Sequence, residues 1–145
     1  DIGAAVSTGN LGLVGYYYNG EGVGSTMMGG ANGVLGAGDD YGCYLTGNKC
    51  KERDSDGGYV QATYVIPTGT KLGLAYGVSK LDEASGESDG TLLDKNERWT
   101  VGAYHPLTKH LNLVAEYNKL ESEGQNGGAN NYEQDTFSLG AILFF

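Results

Sequence analysis

From Phe137 to the C-terminus, every second residue of the chain is apolar: Phe137, Leu139, Ala141, Leu143 and Phe145. In an extended segment these residues share one face, because successive side chains of a strand point to opposite sides. The other face begins with Gln134, Thr136, Ser138 and Gly140. An apolar stripe backed by small and polar residues, about as long as one tilted bilayer crossing, is the pattern a transmembrane barrel strand requires.

The same period of two predicts six further extended segments, and nothing else in the sequence constrains the fold as strongly. Ile2 to Thr8 places Ile2, Ala4 and Val6 on one side, and Gly9-Asn10 follows as a tight turn. Leu11 to Asn19 alternates Leu11, Leu13, Gly15 and Tyr17 against Gly12, Val14, Tyr16 and Tyr18. A long glycine-rich loop, Gly20 to Gly57, leads to Gly58 to Ile66, and Pro67 to Thr70 turns into Lys71 to Leu81. An acidic loop, Asp82 to Glu97, precedes Arg98 to His105, where Trp99, Val101 and Ala103 share a side. Pro106 to His110 turns into Leu111 to Leu120, and a polar loop precedes the last strand. Thr108 to Glu123 also reads as an amphipathic helix capped by Thr108 and stopped by Gly124. Its neighbours all have period two, so a strand is the expectation.

Short and long connections alternate strictly along the chain. Gly9-Asn10, Pro67 to Thr70 and Pro106 to His110 are short, and the links between them are long. A β-sandwich also spaces its strands closely, but has no reason to gather every short turn at one end. An up-and-down barrel in a membrane does. The expected fold class is therefore all-β, an antiparallel up-and-down transmembrane β-barrel with about seven strands in this chain.

Composition agrees. The chain holds 26 glycines among 145 residues, where an average domain would have about 10. Eleven tyrosines and two prolines suit strands, tight turns and interfacial aromatics. Mean hydropathy is −0.33, which alternating strands produce even when one face meets lipid. No apolar run is long enough for a transmembrane helix. No charged-then-apolar leader opens the chain at Asp1, so a signal peptide is expected to have been removed.

The stretches Gly9 to Gly24, Gly73 to Gly77 and Ser138 to Phe145 resemble late strands of proteobacterial porins, and most of the chain resembles the C-terminal part of a Gram-negative outer-membrane porin. The resemblance implies a roughly 16-stranded trimeric pore for small hydrophilic solutes and ions. It also implies that the C-terminal pattern of Phe145, Leu143 and Phe137 acts as the signal read by the barrel-insertion machinery. Outer-membrane lipid and lipopolysaccharide are the expected surroundings. A barrel of that size needs about twice this length. An odd number of strands would also place the first beside the last in parallel, which bacterial barrels avoid. The chain is therefore expected to be one part of a barrel, completed by strands N-terminal to it. The alternative is an eighth strand within Met27 to Gly36, giving a small closed barrel of structural or adhesive role.

Parity nominates Lys71, Arg98, Glu116, Tyr16 and Tyr18 as pore-lining residues. It nominates Tyr64, Tyr76, Trp99 and Tyr117, with Phe137, as aromatic belts at the two interfaces. Cys43 and Cys50 are close enough in sequence for a local disulfide, which an oxidising periplasm would preserve. A metal or redox pair would lack CxxC spacing and histidine partners. The formal net charge is −9, from 9 basic and 18 acidic residues, and this argues against a nucleic-acid partner. The acids gather in predicted loops, where solvation explains them more simply than capture of cations at a pore mouth.

No enzyme is expected, and neither a cofactor nor a metal. His105 and His110 flank a turn without acidic or cysteine partners nearby. Asp54-Ser55-Asp56-Gly57 lacks the closing glutamate of a calcium loop. Gly20 to Gly24 precedes no helix, as a dinucleotide site would require. No G-x-S-x-G motif suggests a nucleophile. A barrel enzyme remains a less favoured alternative.

Overall fold

Period-two segments joined by tight turns can satisfy their backbone groups only by pairing with neighbours, and they do so here in chain order. The computed structural model describes residues 1–24, 42–46, 49–87, 93–125 and 131–145. Its strands are β1 (Ile2–Thr8), β2 (Leu11–Glu21), β3 (Cys43–Thr46), β4 (Lys49–Glu52), β5 (Asp54–Val65), β6 (Lys71–Leu81), β7 (Leu93–Pro106), β8 (Leu111–Gly124) and β9 (Tyr132–Leu143). Seven of them form one sheet in the order β1-β2-β5-β6-β7-β8-β9, every pair antiparallel. No helix occurs among the described residues, and Leu111–Gly124 is a strand rather than the competing helix.

The sheet is open. β1 and β9 are its two edges and do not pair with each other, so the expected barrel does not close within this chain. The reason is directional: seven antiparallel strands leave the first and last running the same way, and each strand carries one free row of backbone groups.

Several expected element bounds need correction. The glycine-rich loop Gly20 to Gly57 contains the hairpin β3–β4, and β5 begins at Asp54 rather than Gly58. The acidic loop gives way to β7 at Leu93, and β8 continues past Leu120 to Gly124. The last strand stops at Leu143, although the Phe144 N–H still donates to the His110 carbonyl at 2.8 Å. The proposed eighth strand at Met27 to Gly36 lies outside the described residues.

The short turns all fall at one end. Gly9 and Gly69 have φ of +55° and +83°, a left-handed conformation that glycine adopts without strain. The Gly69 N–H donates to the Ile66 carbonyl at 2.9 Å, and Ile66 N–H to Thr70 at 3.0 Å. The opposite end of the strands holds the β3–β4 hairpin, which is closed by a disulfide between Cys43 and Cys50.

The described residues build almost no hydrophobic core. Among the described residues the buried apolar side chains are Tyr18, Leu81, Ala84 and Leu120. All of them lie toward the long-loop end.

Candidate functional site

Register sorts the side chains of the seven-stranded sheet into two faces. One face carries Val6, then Leu13, Ala62, Leu74, Val101, Tyr117 and Phe137, aligned strand by strand. The next row toward the short turns is Leu11, Tyr64, Leu72, Ala103, Ala115 and Leu139. This apolar face is uncovered: Leu113 is 41% exposed, Leu139 74% and Leu143 64%. Shallow apolar hollows run over its small residues. The larger, about 690 Å³, lies above Ala4, Gly15 and Ala62, between Leu13, Tyr76 and Trp99.

The four belt residues named from sequence all lie on this face. Tyr64 sits toward the short turns, paired across from Leu11 and Leu72. Tyr76, Trp99 and Tyr117 sit toward the long loops, and the Tyr76 and Trp99 rings are 4.5 Å apart. Tyr17, half exposed, belongs with them on the same face. The aromatic border steps down the register across the sheet, from Tyr17 on β2 to Tyr76 and Trp99 and then Tyr117 and Phe137.

Immediately beyond this border the same face turns charged. The Tyr76 hydroxyl donates to Glu97 at 2.5 Å, and that of Tyr117 to Asp135 at 2.6 Å. Lys95 bridges Glu97 and Glu123, both at 3.3 Å, and Lys119 bridges Glu121 at 2.7 Å and Glu133 at 2.8 Å. Each lysine thus sits between two carboxylates. Pairs this exposed contribute little net stability each.

The second face is small and polar. Its rows include Gln61, Ala75, Thr100, Asn118 and Thr136, and next to them Thr63, Gly73, Gly102, Glu116 and Ser138. All five pore-lining candidates have this parity. Lys71 is exposed at the short-turn end. Arg98 donates from Nη2 to Asn118 Oδ1 at 2.9 Å, and Thr100 donates to the same oxygen at 2.7 Å. Glu116 accepts a hydrogen bond from the Tyr104 hydroxyl. The Tyr16 hydroxyl donates to Asp1 at 2.9 Å, and that of Tyr18 shares a hydrogen bond with Ser79 at 2.7 Å. Tyr18 is buried, so it lines no open surface in this chain. A hollow of about 550 Å³ occupies the face near the short turns, between Gly12, Gln61, Lys71, Tyr104 and Asn112.

Both histidines serve turns. His105 Nδ1 is 2.9 Å from Thr70 Oγ1, and His110 Nδ1 is 3.1 Å from the Phe144 carbonyl. Among the described residues no three His, Cys, Asp or Glu side chains gather as a metal site would need.

One cluster escaped the sequence. Arg53 and Glu87 form a two-pronged ion pair, both residues buried, with Arg53 Nε donating to Glu87 Oε2 at 3.0 Å. The Arg53 guanidinium holds the Glu87 carboxyl below the ordinary glutamate value. Both lie in stretches read as loop, and nothing local signals a pairing between them.

Comparison with protein-family profiles, with known proteins and with solved structures finds no match for this chain.

Proposed function

We propose that this chain forms part of the wall of an outer-membrane porin, a water-filled β-barrel for passive diffusion of small hydrophilic solutes and ions. The observation that carries the reading is the apolar face. Seven strands share it, nothing among the described residues covers it, and an aromatic border and charged pairs bound it toward the long loops. A soluble sheet with such a face would have to bury it against a second layer. In lipid that face is already satisfied, and the aromatic rings and charges fall at the headgroup level. Strands of 11 and 12 residues, as in β2, β6 and β9, suffice to cross a bilayer core when tilted.

In this reading the short turns are periplasmic, the long loops external, and the small polar face lines the lumen. Lys71, Arg98 and Glu116 then bias which ions pass. Further strands must pair with the open edges, since exposed ladder groups cannot persist in hydrocarbon. Those strands are proposed to lie N-terminal to this segment, in a roughly 16-stranded barrel that assembles as a homotrimer among lipid and lipopolysaccharide. Heating in SDS tests the barrel: the full-length protein, with the strands that pair both edges, should migrate anomalously until boiled. Discrete conductance steps in planar bilayers test the pore. Normal migration at all temperatures, with no steps, would overturn the proposal.

A further inference from the structure

The small polar face is not equally open along its length. Along β6 its positions pass from half-exposed Gly73 and Ala75 to buried Gly77, Ser79 and Leu81. β8 repeats the trend, half-exposed at Val114 and Glu116 and buried at Asn118, Leu120, Ser122 and Gly124. On β5, Gln61 is half exposed while Gly57 and Ser55 are buried. In a single bare sheet this face would be uncovered at both ends.

Beyond the buried stretch, where β5 begins at the long-loop end, three segments meet at Arg53. Its N–H donates to the Gly42 carbonyl, and its own carbonyl accepts from Gly22 N–H, both at 2.9 Å. Its side chain takes Glu87 in the two-pronged pair. Glu87 Oε2 also accepts from Ala84 N–H at 3.0 Å, and Ala84 is itself buried. Lys51 Nζ donates to the Ser85 carbonyl at 2.6 Å, which ties hairpin β3–β4 itself to residues 82–87, beside the pair made by Arg53 just after it. A buried ion pair is a poor source of net stability, because desolvation offsets its attraction, but breaking one partner is costly. It serves well to hold two loops in one arrangement.

We propose that hairpin β3–β4 and residues 82–87 form a cap over the long-loop end of the small polar face, latched by Arg53 and Glu87, and that this cap sets the width of the pore mouth. The cap stands on the burial and the contacts above. The statement about the mouth rests on the porin reading.

The test is a thiol at position 79. Cys43 and Cys50 are joined, so Ser79→Cys introduces one reactive group. Its rate of modification by a bulky hydrophilic maleimide is measured in the full-length protein, alone and combined with Glu87→Gln or Arg53→Met. Opening the latch should raise the rate about tenfold or more, since reagent reaches a covered site only through local opening. Glu87→Gln decides the matter if Arg53→Met fails to fold, with circular dichroism and the intact disulfide reporting the fold. Equal rates in latched and unlatched proteins would overturn the cap. Single-channel conductance should rise in the unlatched variants. Faster labelling with unchanged conductance would overturn the mouth assignment and leave the cap. Faster labelling with no channel at all would end the porin reading alone.

Discussion

At the scale of the residue, parity decides what each position tolerates. Leu139 and Ser138 are chain neighbours, but they face opposite ways, one beside Ala115 and the other beside Glu116. Leu139→Arg should cost about 2–4 kcal/mol in the membrane-embedded protein, the penalty for a charge on the lipid side near the midplane. Ser138→Arg, placed opposite a carboxylate, should change stability by less than about 0.5 kcal/mol. Urea titration in liposomes measures both. Equal costs would mean that the two faces meet the same medium.

At the scale of the element, turns and latch behave differently from strands. Gly69→Ala should destabilise by about 1–2 kcal/mol, because a Cβ at positive φ crowds the following carbonyl. Gly140→Ala should be neutral or favourable, since a Cβ there meets nothing within 4 Å and the unfolded chain loses freedom. Equilibrium unfolding compares the two. The latch has its own pH signature. The Arg53 hydrogen bonds lower the Glu87 value, a hydrogen bond from Ala84 N–H adds to this, and burial opposes it. A group whose folded value is depressed contributes stability that is present above its unfolded value and lost as pH falls through the folded one. Thiol labelling at position 79, taken relative to a free model thiol at each pH because only the thiolate reacts, should therefore stay slow at pH 5 and accelerate only in stronger acid. Acceleration already near neutral pH would contradict the assignment.

Strand ends were the least legible elements, for a physical reason. In Leu11 to Tyr17, Leu72 to Tyr76 and Phe137 to Leu143, hydrophobic contrast between the faces announces a strand. In β7 before Trp99 and β8 after Leu120 both faces are polar. Lys95, Glu97, Glu121 and Glu123 oppose Asn96 and Ser122, so the contrast vanishes although the ladder continues. Backbone bonds and charge pairs between strands extend these elements, and neither is visible along one strand. The hairpin β3–β4 escaped for a related reason: strands of four residues are too short to show a period.

At the scale of the whole molecule, the open edges dominate. β1 and β9 present free donors and acceptors that hydrocarbon cannot satisfy, so the 145-residue chain expressed alone should self-associate through them. Size-exclusion chromatography in detergent should show concentration-dependent oligomers, and co-expression with strands that pair both edges should abolish them. A stable monomer of the isolated chain would show that its edges need no partner.

By itself the sequence determined which residues share a face and where the short turns fall, since alternation and turn chemistry are properties of neighbours along the chain. Register belonged to the tertiary structure. It set Tyr76 against Trp99, tied Arg98 to Asn118 and brought Arg53 to Glu87 across 34 positions of sequence. Such pairings depend on how far each strand slides before its hydrogen bonds lock, and on loops folding back over a face, neither of which is written in the local order of side chains.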